Sequence, residues 1–433
     1  MKYILCSFFY FQANAQVFIP FSSWKCQSAS FSIVNTAVNF NLGTYSNTNI
    51  SGNTVVLSTG NTTGTYTSPV IDIFKGCGGD WTSLEWKTAL PYGKEIPTAA
   101  ETVANYSGIF TTTALMTNLV GYWKFNESAA ATTFADASGN SNTGNKQGTV
   151  TTGVTSAKLG YAITPNGTNG HVSTTNLFTS PGPTNFTLSV WFKTTTSSGG
   201  KLIGYGNSQT GSSASYDRHI YMNNSGQIYF GVYPSAVRTI NSASTYRDGN
   251  WHHAVASLSS TAGMKLFING SQVAADAATT TAQAYAGYFR IGYDNLAAWT
   301  SVPTSNFFSG SLDEVAVWTR TLSTTEIQQL YQRSGNNIKF QIKTCGLSDC
   351  SDVATWKGPD GSNLTYFSEA NNNFSPASIP PHPNVFSTYP LMTFTSFSSL
   401  GLPSRPYFQY QATLSTDNTT FMPVVESISI KRP

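Results

Sequence analysis

What most constrains this chain is a series of short runs in which apolar and polar residues alternate, cut repeatedly by Gly, Asn, Ser or Asp. Thr187-Leu188-Ser189-Val190-Trp191-Phe192, Gln227-Ile228-Tyr229-Phe230-Gly231-Val232, His253-Ala254-Val255-Ala256-Ser257-Leu258 and Lys265-Leu266-Phe267-Ile268 are of this kind. A period of two sends successive side chains to opposite faces, so each run reads as a strand with one face to bury. Two-residue hairpin chemistry stands at Asn269-Gly270 and at Ser225-Gly226. The pattern predicts β-sandwiches rather than βαβ units. One helix is expected, where the capping box Ser323-Thr324-Thr325-Glu326 opens Ile327, Leu330 and Tyr331 at helical spacing.

With 433 residues the chain exceeds the roughly 250–300 at which a single core stops growing, so two cores are expected. Charged residues make up 10% of it, against about 25% in an average soluble protein, and aromatics 13%. Ser, Thr, Asn and Gly take the place of surface Lys and Glu, which favours strands and turns. A formal net charge of +3 is too small for a nucleic-acid footprint, so no nucleic-acid partner is expected.

Lys2, the apolar run Tyr3 to Phe11 and then Ala13-Asn14-Ala15 read as a signal peptide, residues 1–15, with a buried opening strand as the alternative. Nothing downstream supplies about 18 consecutive apolar residues, so no transmembrane segment follows. The product is expected to be secreted or held at a cell surface by partners. Cleavage would remove Cys6 and leave Cys26, Cys77, Cys345 and Cys350. Disulfides are favoured over zinc, because the spacing is not that of a zinc finger. Cys345-x4-Cys350 is short enough to close a small loop, which would leave Cys26 for Cys77.

Four segments occur in a telling order. They are Leu119-Val120-Gly121-Tyr122-Trp123-Lys124-Phe125-Asn126 with Asp136-Ala137-Ser138-Gly139-Asn140; Asp248-Gly249-Asn250-Trp251-His252-His253; Met264 to Gly270; and Phe308-Ser309-Gly310-Ser311-Leu312-Asp313-Glu314-Val315-Ala316-Val317-Trp318. Together they resemble the laminin-G-like, pentraxin-like domains of the concanavalin A-like lectin/glucanase fold, over residues 118–334. Strand-like runs on either side, at 64–72 and 84–88 and again at 338–344, 407–414 and 424–430, resemble a second β-sandwich module of exported bacterial proteins. The expected fold is therefore all-β, a concanavalin A-like jelly roll set into a smaller, discontinuous β-sandwich made of residues 16–117 and 335–433. Three consecutive small domains are the alternative. Residues 371–402, with five prolines, read as a surface excursion.

Some proteins of this fold hydrolyse glucans with paired carboxylates, but no Glu-x-Asp-x-x-Glu run is present, and Asp313 and Glu314 are adjacent and point to opposite faces. No Gly-x-Ser-x-Gly elbow with a partner His is found either, so no enzyme is expected. The resemblance implies a structural Ca²⁺ held by Asp136 and Asp313, with Asn140 and Asn142 in the Asx-rich turn. The alternative is an Asx turn that satisfies its own backbone. Of His252 and His253, one is expected in the core and one toward solvent, and Trp191, Trp251 and Trp318 read as core residues.

A sugar presents an apolar face and a rim of hydroxyls, which calls for aromatic faces beside polar groups on loops. Three loops qualify: Tyr205 to His219 with Tyr216, Asp217 and Arg218; Tyr233 to Arg247; and Tyr293 to Phe308 with Asp294 and Trp299. Trp299 breaks no strand pattern and is the expected exposed anchor, with Tyr216, Arg218 and Asp294 as further ligand-binding candidates. The expected function is binding of a glycan or glycoprotein in adhesion, with a cell-surface assembly partner. A structural spacer or fibre component is the alternative, and an extracellular glycan hydrolase a third reading.

Overall fold

The computed structural model describes residues 31–35, 40–72, 83–96, 115–368, 391–393, 400–403 and 405–432. The expected leader at 1–15, Cys26 and Cys77, and most of the 371–402 stretch lie outside them. Cys345 and Cys350 are joined as a disulfide with their Cα atoms 5.0 Å apart.

Four sheets pack as two sandwiches. Two 8-stranded sheets are drawn wholly from residues 119–318, and two 6-stranded sheets each combine strands from before residue 97 and after residue 335. Strand Tyr407–Thr416, for example, pairs on one side with Asn336–Cys345 and on the other with Thr63–Thr67. Sequence neighbours across residues 97–335 thus rejoin in one ladder, and the jelly roll occupies the gap.

Between the two 8-stranded sheets, period-two alternation builds the inner core. Phe186, Leu188, Val190 and Phe192 of strand Phe186–Lys193 face Ile203, Ile220, Phe230 and Ile291 of the opposite sheet. Phe186 meets Phe230 edge to face at 6.0 Å. The hairpin at Asn269-Gly270 has two turn residues, both with positive φ (50° and 78°), as a type I′ turn requires. The second expected two-residue hairpin is corrected: Asn223 N–H bonds Gln227 O at 3.0 Å, so the turn spans three residues and Gly226 takes the left-handed position.

Helix Thr324–Gly335 starts as expected, with Ser323 accepting from Glu326 N and Glu326 reaching back to Ser323 N. Its buried face, Ile327 and Leu330, joins Leu119, Tyr122, Trp318, Val255 and Phe267 of the neighbouring 8-stranded sheet in one apolar cluster. The same cluster continues into Trp86, Phe340, Tyr410 and Ile428 of the outer sandwich. One face of the jelly roll is therefore sealed against the outer sandwich, and only the other 8-stranded sheet has a free outer face.

At the edge of this seam His253 is buried between sheet and helix. Its ring stacks on Trp191 at 4.9 Å, Tyr331 continues the stack, and Nε2 lies 2.8 Å from Ser189 Oγ. His252 points the other way, toward Asp248 Oδ1 at 2.9 Å. Trp191 and Trp318 are buried as expected, whereas Trp251 is only half-buried, with its indole N–H on Ser156 O. Burial lowers the His253 pKa to about 3. Native His253 stays neutral where the unfolded chain takes up a proton, from the ordinary value of 6.5 down to about 3, so stability falls as pH falls through that window. His253→Gln should flatten the pH dependence of unfolding there by up to roughly 1.4 kcal/mol per pH unit. Urea midpoints taken between pH 4 and 7 check this, and equal slopes for variant and parent would contradict it.

Candidate functional site

The free outer face belongs to the 8-stranded sheet in which strands Arg238–Thr245, Gln227–Val232, Tyr216–Met222, Gly200–Gly206, Tyr288–Ile291 and His171–Thr174 lie side by side. Alternation that sends Ile220, Met222, Ile228 and Phe230 inward sends His219, Tyr221, Tyr229 and Gly231 outward. Cross-strand pairing lines up one outward row: Ser173 opposite Arg290, Arg290 opposite Gly204, and, farther along, His219 opposite Gly231. Lys201 reaches the same face because register shifts flank Ile203.

The loop from Tyr293 to Phe308 lies over this row. Tyr216 donates its hydroxyl to Ala297 O at 3.0 Å, Tyr221 to Thr300 O and Tyr229 to Ser301 Oγ at 3.0 Å. Trp299 is pressed edge-on against His219, with ring centres 4.0 Å apart. That approach needs a bare position beneath the indole, since a Cβ at Gly231 would fall 2.3 Å from the ring. Trp299 is thus 5% exposed and packs with Tyr221, Tyr229 and Leu296. The expectation of an exposed anchor is corrected: the residue interrupts no strand because it caps one from above.

Beneath the loop lies a buried polar group. Lys201, His219, Arg290 and Asp294 are each 0% exposed. Lys201 Nζ, both ring nitrogens of His219, Arg290 Nε and Asp294 Oδ2 have no hydrogen-bond partner. Asp294 Oδ1 accepts from Ser213 N at 3.0 Å and Asn295 N at 2.8 Å, and Arg290 stands 3.8 Å away. The remaining Arg290 nitrogens are held by Ser208 O, Gly211 O and His171. Burial pulls Lys201 down to about 8, Asp294 opposing it, and burial with Lys201 alongside pushes His219 well below its ordinary value. His171 falls to about 4, first by burial and then by Arg290. Tyr216 forms the rim, near both Asp294 and Tyr233, and Tyr233 is 37% exposed.

Arg218 does not join this group. It has the parity of inward Ile220 and Met222 and lies on that side, where Tyr205 and Tyr285 flank it and it donates to Pro181 O, Pro183 O and Gln283 O. It also pairs with buried Asp217. Arg218 is a structural clamp, a correction to its expected role. Of the four ligand candidates, Tyr216, Asp294 and Trp299 come together and Arg218 does not. Lys201, His219 and Arg290 were missed, though Lys201 in Gly200-Lys201-Leu202-Ile203 and Arg290 in Tyr288-Phe289-Arg290-Ile291 break otherwise apolar runs.

Of the residues expected around calcium, Asp136, Asn140 and Asn142 share one turn and Asp313 lies on strand Ser311–Trp318. Asp136 Oδ1 accepts from Tyr122 N and Ser138 N, and Oδ2 from Ser138 Oγ and Asn142 N, all at 2.8–2.9 Å. Asn140 donates to Leu119 O, and Asn142 Oδ1 accepts from Asn176 N. Asp313 is fully buried, accepts from Lys158 N, Leu159 N and Glu314 N, and is held well above the ordinary carboxylate range by burial. Among the described residues no three His, Cys, Asp or Glu side chains gather as a metal-ligand group. The hydrogen bonds at Asp136 are those of an Asx turn that satisfies its own backbone.

Residues 166–328 match the family model of the concanavalin A-like lectin/glucanases superfamily, laminin-G type. This part of the chain is a laminin-G-like domain. Solved structures with a similar fold include domain 4 of an extracellular arabinanase from Geobacillus stearothermophilus in complex with arabinotriose, at 18% identity, with a TM-score of 0.37 and coverage of 50% of this chain and 98% of that one. A pentraxin from Limulus polyphemus shares 20% identity over 35% of this chain and 73% of its own, with a TM-score of 0.27. A sialidase from Trypanosoma rangeli shares 16% over 50% of this chain and 33% of its own, with a TM-score of 0.35. No curated protein sequence matches the chain.

Two outcomes follow for the laminin-G-like domain. Trp299→Ala should destabilise it by about 3–5 kcal/mol in denaturant unfolding, as loss of a packed aromatic does; an unchanged midpoint would return Trp299 to the surface. Asp136→Ala should cost roughly 1–3 kcal/mol through the orphaned N–H of Tyr122. That loss should be equal in calcium and in EDTA, and a loss seen only with calcium would restore the metal reading.

Proposed function

We propose that the protein binds carbohydrate through the free face of its laminin-G-like domain, as an exported adhesion protein of a bacterial surface. The observation that carries this reading is the juxtaposition of rim and floor. Tyr216 stands at the rim 6.0 Å from the buried Lys201 ammonium, with exposed Tyr233 beside it, over groups with unused hydrogen-bonding capacity. A pyranose matches such a site with one apolar face and a rim of hydroxyls. The lectin-like family of residues 166–328 supports the same ligand class.

Binding rather than hydrolysis is favoured by the carboxylates available. Acid and base or nucleophile roles need two carboxyl groups flanking the bond to be cut. Asp217 is held on the core side by Arg218, Tyr285, Tyr233 N and Gln283 N, which leaves Asp294 with one open oxygen beneath the loop. The opposite face of the domain, with Asp313 and Glu314, is buried.

A glycan array probed with the purified protein tests the reading, together with a product assay on any glycan retained. Tyr233→Ala should weaken binding about tenfold or more while leaving the melting temperature within a degree or so, as expected for an exposed aromatic contact. An array without binders favours the structural spacer, and released sugar favours a hydrolase.

A further inference from the structure

The buried group under the Tyr293–Phe308 loop is short of one negative charge. Arg290 stands against Asp294, and Arg218 against Asp217, so each of these pairs is internally matched. His219 and His171 are kept neutral by their surroundings. Lys201 is left over: fully buried, with no acceptor on its ammonium. Its ammonium lies 6.0 Å from the centre of the Tyr216 ring. A charge removed from water without a partner is strongly disfavoured even after relaxation.

The unused hydrogen-bonding capacity has the same polarity. Lys201 Nζ, Arg290 Nε and one nitrogen of His219 are donors without acceptors, against the open carboxylate oxygen Asp294 Oδ2 and the other His219 nitrogen, while the Ser173 hydroxyl opposite Arg290 can serve either way. Such an excess of donors around a cation suits a planar anion that accepts at two oxygens. The sheet leaves room for the cationic side chain: at Gly204 a Cβ would stand 2.6 Å from His219 Cβ and 3.2 Å from Lys201 Nζ. Any larger residue there would push Lys201 and His219 apart.

The geometry points to a carboxylate-binding chamber formed by Lys201, His219 and Arg290 beneath the loop, with the Tyr216 rim as its mouth. The occupant is the carboxylate of an acidic sugar, or a free small carboxylate of the same chemistry. The first source deepens the carbohydrate reading and rests on it. Lys201 Nζ stands 6.0 Å from the centre of the Tyr216 ring, so a sugar held at the Tyr216 rim would have the ammonium as the neighbouring cation for its carboxyl group. Entry requires the loop to lift, and its anchors are hydroxyl bonds from Tyr216, Tyr221 and Tyr229 together with Trp299, with no covalent tie among the described residues.

The test uses the full chain, with sodium glucuronate, sodium acetate, sodium chloride and glucose at matched ionic strength. Glucuronate should raise the melting temperature by several degrees, acetate by less, and chloride and glucose not at all. In the unmodified protein glucuronate should also shift the ¹⁵N resonances of His219, a readout that needs no variant. Lys201→Met keeps an unbranched side chain, one atom shorter, and removes its charge; it should lose at least tenfold in glucuronate affinity. No melting shift and no His219 shift with either carboxylate overturns the chamber, as does a folded Lys201→Met that binds as well as the parent. If neutral oligosaccharides bind and carboxylates do not, the chamber falls and the carbohydrate reading stands. Acetate binding without any sugar binding keeps the chamber and removes the carbohydrate reading.

Discussion

Burial of Tyr122 between the two sandwiches is the contact on which the rest of the molecule leans. Its ring lies in the apolar cluster that Trp318, Leu119 and helix residues Ile327 and Leu330 share with Trp86 and Phe340 of the outer sandwich. Its hydroxyl accepts from Ile96 N at 2.9 Å, where the chain leaves the outer sandwich, and donates to Glu314. Glu314 is held well above the ordinary carboxylate range by burial, then by Glu95 and Asp313, so it fits the seam as a neutral group. Nearby, Arg333 donates to Glu95 O, and Lys124 pairs with the Glu95 carboxylate. Each large apolar side chain buried here is worth about 1.5–3 kcal/mol, so the seam outweighs any single polar contact in it. Because it occupies one broad face of the jelly roll, a ligand is left only the opposite sheet and its loops.

On that sheet, the candidate site depends on bare positions as much as on side chains. Gly231 lets Trp299 descend onto His219, and Gly204 leaves space for Lys201. The loop then shuts water away from an ammonium and an imidazole, which lowers the affinity of both for protons. Packing and charge are coupled here, since the indole that completes the hydrophobic lid also creates the polar deficit beneath it.

Features set by neighbours in the chain were legible in the sequence. Ser323 and Glu326 mark the helix start because a capping box closes within one turn, and Asn269-Gly270 marks a hairpin because both residues tolerate positive φ. His252 and His253 separate because a strand has period two. Features set by distant neighbours were not. Trp299 carries no period, and its burial is decided by a glycine 68 positions earlier in the chain, across the sheet. Arg218 has the parity of inward Ile220 and Met222 and lies on their side beside Tyr205, which a reading of residues 205–219 as one loop does not show. Lys201 reads as an interruption until register shifts bring it beside His219. Asp136 sits in a turn whose composition suits an ion or its own backbone equally, and only the partners of its oxygens separate the two.

The first and last described strands of the outer sandwich, Phe31–Asn35 and Val425–Arg432, are antiparallel neighbours with Phe31 opposite Arg432. Tension drawn through these two points would therefore open their ladder from one end, one rung after another. The jelly roll branches off far from that end, through residues 96 and 336, both packed into the seam. Pulling on the chain would unzip an edge of the outer sandwich long before it strained the face that holds Lys201, so a bound ligand would sit outside the path of the load.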